Sequence, residues 1–314
     1  MGLDLKRLSI AVLLAASTSA WAAAGPAAPY LGRWDMTLQT PERSYSSWLE
    51  VRQEHGQLKA RMVGRWGSVR ELPKVEIHDG HLRFVSPKEE EGRTHDDMVF
   101  DAVRSGAQLL GKTAAEDGTQ WTWRGVRAPM LAPHKQVHWG QPVTLFNGKD
   151  LSGWQPLDAA AKPWTVADGQ LLSPGRGTDL YTSARFGDFK LHIEFLCAPG
   201  ANSGVYLRGR YEVQIEDDAV PEQPNQRTAG VYGYLAPQPA AARQPGVWQS
   251  YDITLLGRYI TVALNGKTVI DHQPIPGITG GALDSDEGAP GPILLQGAEE
   301  GQVAYRNIVL TPAR

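Results

Sequence analysis

The stretch Asn202-Ser203-Gly204-Val205-Tyr206-Leu207-Arg208-Gly209-Arg210-Tyr211-Glu212-Val213-Gln214-Ile215-Glu216 reads as two strands and a reversal. Successive side chains on a strand point to opposite faces. Val205 and Leu207 therefore take one face, and Tyr206 and Arg208 the other. Gly209-Arg210 supplies the turn. On the returning strand Tyr211, Val213 and Ile215 share a face, while Glu212, Gln214 and Glu216 share its opposite. The apolar set is expected in a core. The polar set combines Tyr, Arg and Gln with carboxylates, which is a hydrogen-bonding set rather than the Lys, Glu and Thr of a plain solvated strand.

The stretch just upstream alternates in the same way. Leu191, Ile193 and Phe195 point one way, and His192 and Glu194 the other. Taken as neighbours in one sheet, the three stretches are expected to present His192, Glu194, Tyr206, Arg208, Glu212 and Gln214 as one polar patch. Residues 217–246 follow directly and are rich in Pro, Ala, Gln and Gly. A segment that long is rarely a plain connection, so it is expected to help form the site.

Strand-type alternation with Gly, Asn, Asp and Pro punctuation recurs along the chain, and helical periodicity is almost absent. The fold class is therefore all-β. Eight short strands are expected between residues 30 and 127, several joined by turns such as Asp79-Gly80 and Asp117-Gly118. Their spacing implies a small antiparallel β-barrel or sandwich. Its opening Gly32-Arg33-Trp34 resembles the Gly-x-Trp start of lipocalin-like barrels. Residues 128–142 hold no clear element and are expected to link it to a second β-rich domain, 143–314.

Composition bounds the function. The chain has 314 residues, a net charge of -3 and one cysteine, Cys197. Charges of both signs are interspersed, so there is no basic footprint for nucleic acid. No internal disulfide can form, and packing must hold the core. Lys6 and Arg7 precede the apolar run 8–16, and Ala20-Trp21-Ala22 fits an A-x-A cleavage site. Residues 1–23 thus read as a secretory signal peptide, and the protein as periplasmic or extracellular. The run is shorter than the roughly 20 residues a spanning helix needs, so no membrane span is expected. Glycine clusters such as Gly177-Thr178-Asp179 lack phosphate-loop spacing.

Ordered blocks across 143–312 carry a resemblance. They are Leu145-Phe146-Asn147-Gly148-Lys149-Asp150-Leu151-Ser152-Gly153-Trp154, Trp164-Thr165-Val166-Ala167-Asp168-Gly169 and Gly187-Asp188-Phe189-Lys190-Leu191. The hairpin quoted above follows, then Pro245-Gly246-Val247-Trp248-Gln249, Leu295-Gln296-Gly297 and Tyr305-Arg306-Asn307-Ile308. Together they resemble the 3-keto-disaccharide hydrolase family. The resemblance implies a concanavalin/LamG-like jelly-roll sandwich with its ligand on the concave face. Many relatives carry a His-Gly turn after the Leu-Gln pair, where this chain reads Gly297-Ala298-Glu299-Glu300-Gly301.

The resemblance also implies a substrate, a glycoside already oxidised to a ketone at C3. A C3 carbonyl acidifies the C2 proton. A base removes that proton, the enolate expels the C1 substituent, and water adds to the enone. Such a site needs a base, an enolate stabiliser and an acid for the leaving oxygen. On this reading Glu212 is the candidate base and Arg208 the candidate enolate stabiliser. Asn202, Tyr206, Gln214 and Gln296 are candidates for binding the sugar. A divalent metal ion is implied by family behaviour, with Glu194, His192 and Asp217 as its candidate ligands. The alternative is a non-catalytic carbohydrate-binding module, because jelly rolls host both functions. A third reading makes the N-terminal domain the partner-binding part.

Overall fold

A computed structural model describes residues 26–65, 67–133, 136–217, 223–298 and 300–314. The expected signal peptide lies outside the described residues. Among those described, the only helical elements are two short 3-10 turns, Lys88–Glu91 and Pro224–Gln226.

Nine strands make up the N-terminal sheet. They are Gly32–Gln39, Ser44–Glu54, Gln57–Val63, Arg70–Glu71, Lys74–His78, His81–Ser86, Met98–Ser105, Gln108–Ala114 and Gln120–Arg127. The first strand pairs with both the second and the last, all antiparallel. The sheet curls until Lys74–His78 lies beside Gln57–Val63. Trp34, Met36, Leu49, Val51, Met62, Phe84, Phe100 and Trp123 fill its interior. It is a side-chain-filled barrel. The strand Arg70–Glu71 was not anticipated, since two residues are too few to show alternation.

Two further sheets stack as a jelly-roll sandwich. One runs in the order Thr165–Ala167, Gln170–Leu172, Val303–Pro312, Phe189–Cys197, Gln249–Leu256, Tyr259–Leu264 and Lys267–Pro274, with Val143–Thr144 also pairing to Val303–Pro312. The other runs Trp154–Pro156, Leu180–Thr182, Leu294–Leu295, Asn202–Leu207 and Tyr211–Glu216. Leu191, Ile193 and Phe195 from the first sheet and Val205, Leu207, Val213 and Ile215 from the second are buried together between them. Removing this apolar surface from water is the main force holding the layers. Cys197 lies in the same core outside any disulfide, with its Sγ 3.3 Å from Ala201 O.

This topology corrects the single patch expected from sequence. Phe189–Cys197 pairs with Gln249–Leu256 and Val303–Pro312, and lies in the opposite sheet from the 202–216 hairpin. Chain neighbours here are not sheet neighbours, and the sandwich core separates the two sets of polar side chains.

Barrel and sandwich are docked. Thr37 Oγ1 and Ser285 Oγ lie 2.8 Å apart, and Arg33 pairs with Glu287. Trp48 leaves the barrel wall and is buried in the sandwich core. The segment after the barrel lies against the turn at Gly257-Arg258, where Leu131 O accepts the Arg258 amide at 3.1 Å.

Candidate functional site

Strand register builds the site face. Residues directly opposite one another across a ladder share a face. Gln155 lies opposite Tyr181, Tyr181 opposite Leu294, Leu294 opposite Tyr206, and Tyr206 opposite Glu212. These five make one row across the second sheet, on the side away from the core. One step along, Gly204 is opposite Gln214, and the Gln296 amide donates to Gly204 O at 2.9 Å. Asn202 is opposite Glu216 one step further. The structure thus brings together Asn202, Tyr206, Glu212, Gln214 and Gln296.

The face is roofed. Residues 229–232 run along the outer edge of Tyr211–Glu216, with the Gln214 amide bonded to Gly230 O at 3.0 Å and the Tyr232 amide to Glu212 O at 3.1 Å. Thr279 continues that edge and accepts the Glu212 amide on Oγ1 at 3.1 Å. The Pro-rich segment therefore borders the site, although residues 218–222 lie outside the described ones. Tyr206 and Glu212 are each only 4% exposed.

The Tyr206 hydroxyl stands 2.9 Å from Glu212 Oε2 and 2.9 Å from the Gly280 carbonyl oxygen. Burial first, and then the Glu212 charge, push the Tyr206 hydroxyl well above its ordinary value, so it stays protonated at neutral pH. Gly204 lies beneath the Glu212 side chain, and a Cβ there would stand 2.9 Å from Glu212 Cγ and closer still to Oε1. Glycine is required so that the carboxylate can lie across the strand. Gln296 keeps a buried Oε1 with no hydrogen-bond partner among the described residues. A sugar hydroxyl would satisfy that acceptor.

Asp179 was missed from sequence. It immediately precedes Leu180–Thr182 and accepts the Gly297 amide on Oδ1 at 2.9 Å. Its charge adds to that of Glu212 in raising Tyr206. Tyr181 was missed too, because the three-residue strand that carries it is too short to show alternation. The chain signal available was only the polar-apolar order Asp179-Leu180-Tyr181.

Arg208 does not join the face. The turn centres on Arg208-Gly209, both with positive φ (54° and 67°), and Arg210 N bonds Leu207 O at 3.0 Å. That is a type I′ geometry, one residue earlier than the sequence suggested. A turn residue no longer alternates with its strand. The Arg208 guanidinium instead reaches Gly257 O at 2.6 Å and the Tyr211 hydroxyl at 3.3 Å, on the side opposite Glu212. Neither an enolate contact nor a salt bridge to Glu212 fits this placement.

The expected metal trio also separates. His192 Nδ1 lies 2.7 Å from Asp252 Oδ1 on the outer face of the first sheet. Glu194 binds Arg306 at 2.6 Å and Asn307 at 2.7 Å. Burial opposes its ionisation, but those two donors outweigh it and hold the carboxyl below the usual range. Asp217 Oδ2 accepts the Gly200 amide at 2.9 Å. Among the described residues no three His, Cys, Asp or Glu side chains are gathered to hold a metal. In the altered turn, Ala298 is fully buried and its amide bonds Ser173 Oγ at 2.9 Å. Glu299 lies outside the described residues, and Glu300 is exposed beside Arg176 at 3.6 Å.

Residues 141–311 match the model of a family described as the 3-keto-alpha-glucoside-1,2-lyase-like domain. A curated 3-keto-disaccharide hydrolase of Bacteroides thetaiotaomicron is 22% identical to this chain over a match that covers 42% of the chain and 58% of the relative. The chain thus spans just over half the length of that relative. A Parabacteroides distasonis protein, provisionally described as a glycosyl hydrolase, aligns at TM-score 0.49 and 29% identity, over 58% of this chain and 94% of that one. A carbohydrate-binding module of Bacillus subtilis, CBM66, aligns at TM-score 0.32 and 14% identity, over 50% of this chain and 93% of that one. These superpositions are too loose to place side chains.

Proposed function

The chain belongs to the 3-keto-alpha-glucoside-1,2-lyase-like family, and from that premise we propose that it cleaves 3-keto-glycosides by elimination and hydration. The observation that carries this reading is the hydroxyl of Tyr206 held between Glu212 Oε2 and Gly280 O. A hydroxyl has one proton to give. With Glu212 ionised, Tyr206 donates to the carboxylate in a charge-assisted bond. With Glu212 protonated, the carboxyl donates to Tyr206 and Tyr206 donates to Gly280 O. The same geometry serves both protonation states, as a general base requires.

In the proposed reaction Glu212 takes the C2 proton of the substrate. The electron pair forms the C2–C1 double bond as the C1–O bond breaks, and the departing oxygen takes up the proton that Glu212 accepted, which restores the base. Water then adds across the enone, releasing the 3-keto sugar. The C3 oxygen carries negative charge in the enolate, and side-chain amides on the face, Gln296, Gln214 and Asn202, are the available donors. Arg208 has no part in this account. No step is routed through a metal, because the described carboxylates and histidines are not grouped to hold one. We also propose, from the leader pattern of residues 1–23 alone, that the protein is exported to the periplasm or beyond, to be checked by fractionating cells that express it.

The test is direct. The purified full chain is incubated with a 3-keto-disaccharide, with and without a chelator, and released sugar is measured. Release by the native protein and its loss in Glu212→Gln is the expected result. Full activity in Glu212→Gln would remove the base assignment. Binding without release under both conditions would instead identify a carbohydrate-binding module.

A further inference from the structure

Four successive residues, Ile278-Thr279-Gly280-Gly281, divide their hydrogen bonds between the two domains, the outer two reaching the barrel and the inner two the hairpin. Ile278 O accepts from Trp48 Nε1 of the barrel at 3.0 Å. Thr279 bonds the hairpin, its amide to Arg210 O at 2.9 Å and its Oγ1 to the Glu212 amide at 3.1 Å. Gly280 O lies 2.9 Å from the Tyr206 hydroxyl. The Gly281 amide returns to the barrel, donating to Arg65 O at 3.1 Å.

Trp48 is the anchor of this arrangement. Its strand neighbours Leu49 and Val51 point into the barrel, so Trp48 points out, and it is 1% exposed in the sandwich core. Its N–H is also 2.9 Å from the Tyr234 hydroxyl, which donates to Ile278 O at 2.6 Å. The guanidinium groups of Arg33 and Arg61 lie over the ring, 5.9 and 5.6 Å from its centroid. Gly277 completes the fit, since a Cβ there would stand 2.6 Å from Trp48 Cε2. A tetrapeptide with two of its four residues glycine has little stiffness of its own. Its position is set by what it bonds at either end.

We propose that Trp48 is a positioning residue for the Tyr206–Glu212 pair: the N-terminal barrel completes the sugar site by holding residues 278–281 against it. This rests on the elimination reading for its kinetic consequence, but not for the positioning itself. Trp48 touches no reacting atom. It acts through Ile278, which places Gly280 O at the Tyr206 hydroxyl and Thr279 Oγ1 at the Glu212 amide. Small misplacements of a catalytic group cost up to about a hundredfold in rate.

The test uses the full chain with Trp48→Phe, which removes the N–H, and Tyr234→Phe, which removes only a hydroxyl and guards against misfolding of the first variant. Turnover of a 3-keto-disaccharide is measured across pH, and hydrogen exchange of the Glu212 and Gly281 amides is followed. Trp48→Phe is expected to lower kcat about tenfold, displace the pH profile, leave KM within about threefold, and speed exchange at both amides. Tyr234→Phe is expected to do the same to a smaller degree. Unchanged kcat and unchanged exchange in both variants, with Glu212→Gln inactive, overturns the positioning role and leaves the elimination reading standing. A native protein inactive on 3-keto sugars removes the elimination reading, and the exchange rates alone then decide: faster exchange supports positioning, and unchanged exchange overturns it.

Discussion

Tyr206 and Glu212 face each other across a strand ladder with hydroxyl and carboxylate 2.9 Å apart, both almost fully buried. Buried polar groups of this kind are held by their partners, and removing one partner leaves the other unsatisfied. Tyr206→Phe is therefore expected to lower kcat on a 3-keto-disaccharide by roughly a hundredfold, in the range of lost general acid–base participation. Because its hydroxyl is pushed well above the ordinary range, Tyr206 contributes no alkaline loss of activity between pH 7 and 9. A profile that falls with a tyrosine-like ionisation in that window would contradict this.

Gly204 is expected to be essential for the carboxylate's position rather than for backbone conformation. Gly204→Ala places a methyl against Glu212 Oε1 and Cγ. Activity should fall sharply in Gly204→Ala, and the loss should be non-additive with Glu212→Gln, since both act through one carboxylate. Additive losses in the double variant would show that Gly204 serves something else.

Arg208 separates stability from catalysis. Arg208→Met leaves the Gly257 carbonyl and the Tyr211 hydroxyl without their donor in a buried setting. The expected cost is on the order of 1–3 kcal/mol of stability. At a temperature where the variant is folded, its pH profile should match the native one. Denaturant titration together with the pH profile checks both halves.

Asp35 gives the domain interface a pH dependence. Burial first, then the nearby Glu287 charge, push its carboxyl from 3.8 up to about 8, with Arg33 acting in the opposite direction. Between pH 4 and 8 the folded protein thus keeps a proton that the unfolded chain has released. Stability contributed by this group is present at low pH and is lost as pH rises through that window. Asp35→Asn removes the effect. Its melting temperature relative to the native protein should be higher at pH 8 than at pH 5 by at least about 3 °C, the effect of roughly 2 kcal/mol in a chain of this size. Parallel melting curves for the two proteins across pH would refute the assignment.

Much of the site was legible because alternation is a local property. The order of residues alone puts Tyr206, Glu212 and Gln214 on one face and Val205, Leu207, Val213 and Ile215 in the core. Arg208 escaped the rule because it sits in the turn, and side chains alternate only while the backbone stays extended. Tyr181 escapes it because its strand has only three residues, Leu180–Thr182, and Asp179 because it lies just before that strand. Gly204 stood in plain view, but its purpose appears only when the Glu212 side chain is seen lying across it.

Residue order alone sets the all-β class, the positions of the long strands and the in-or-out sense of their side chains. All of these follow from spacing along one strand. Which strands become neighbours is settled only in the folded chain. Folding sent His192 and Glu194 to the opposite sheet from Tyr206, although only a few residues separate the two strands. It also brought Trp48, 158 positions before Tyr206, to the segment that holds the site. Pairing is set by the burial of apolar faces between distant segments, and no local pattern of residues encodes that choice.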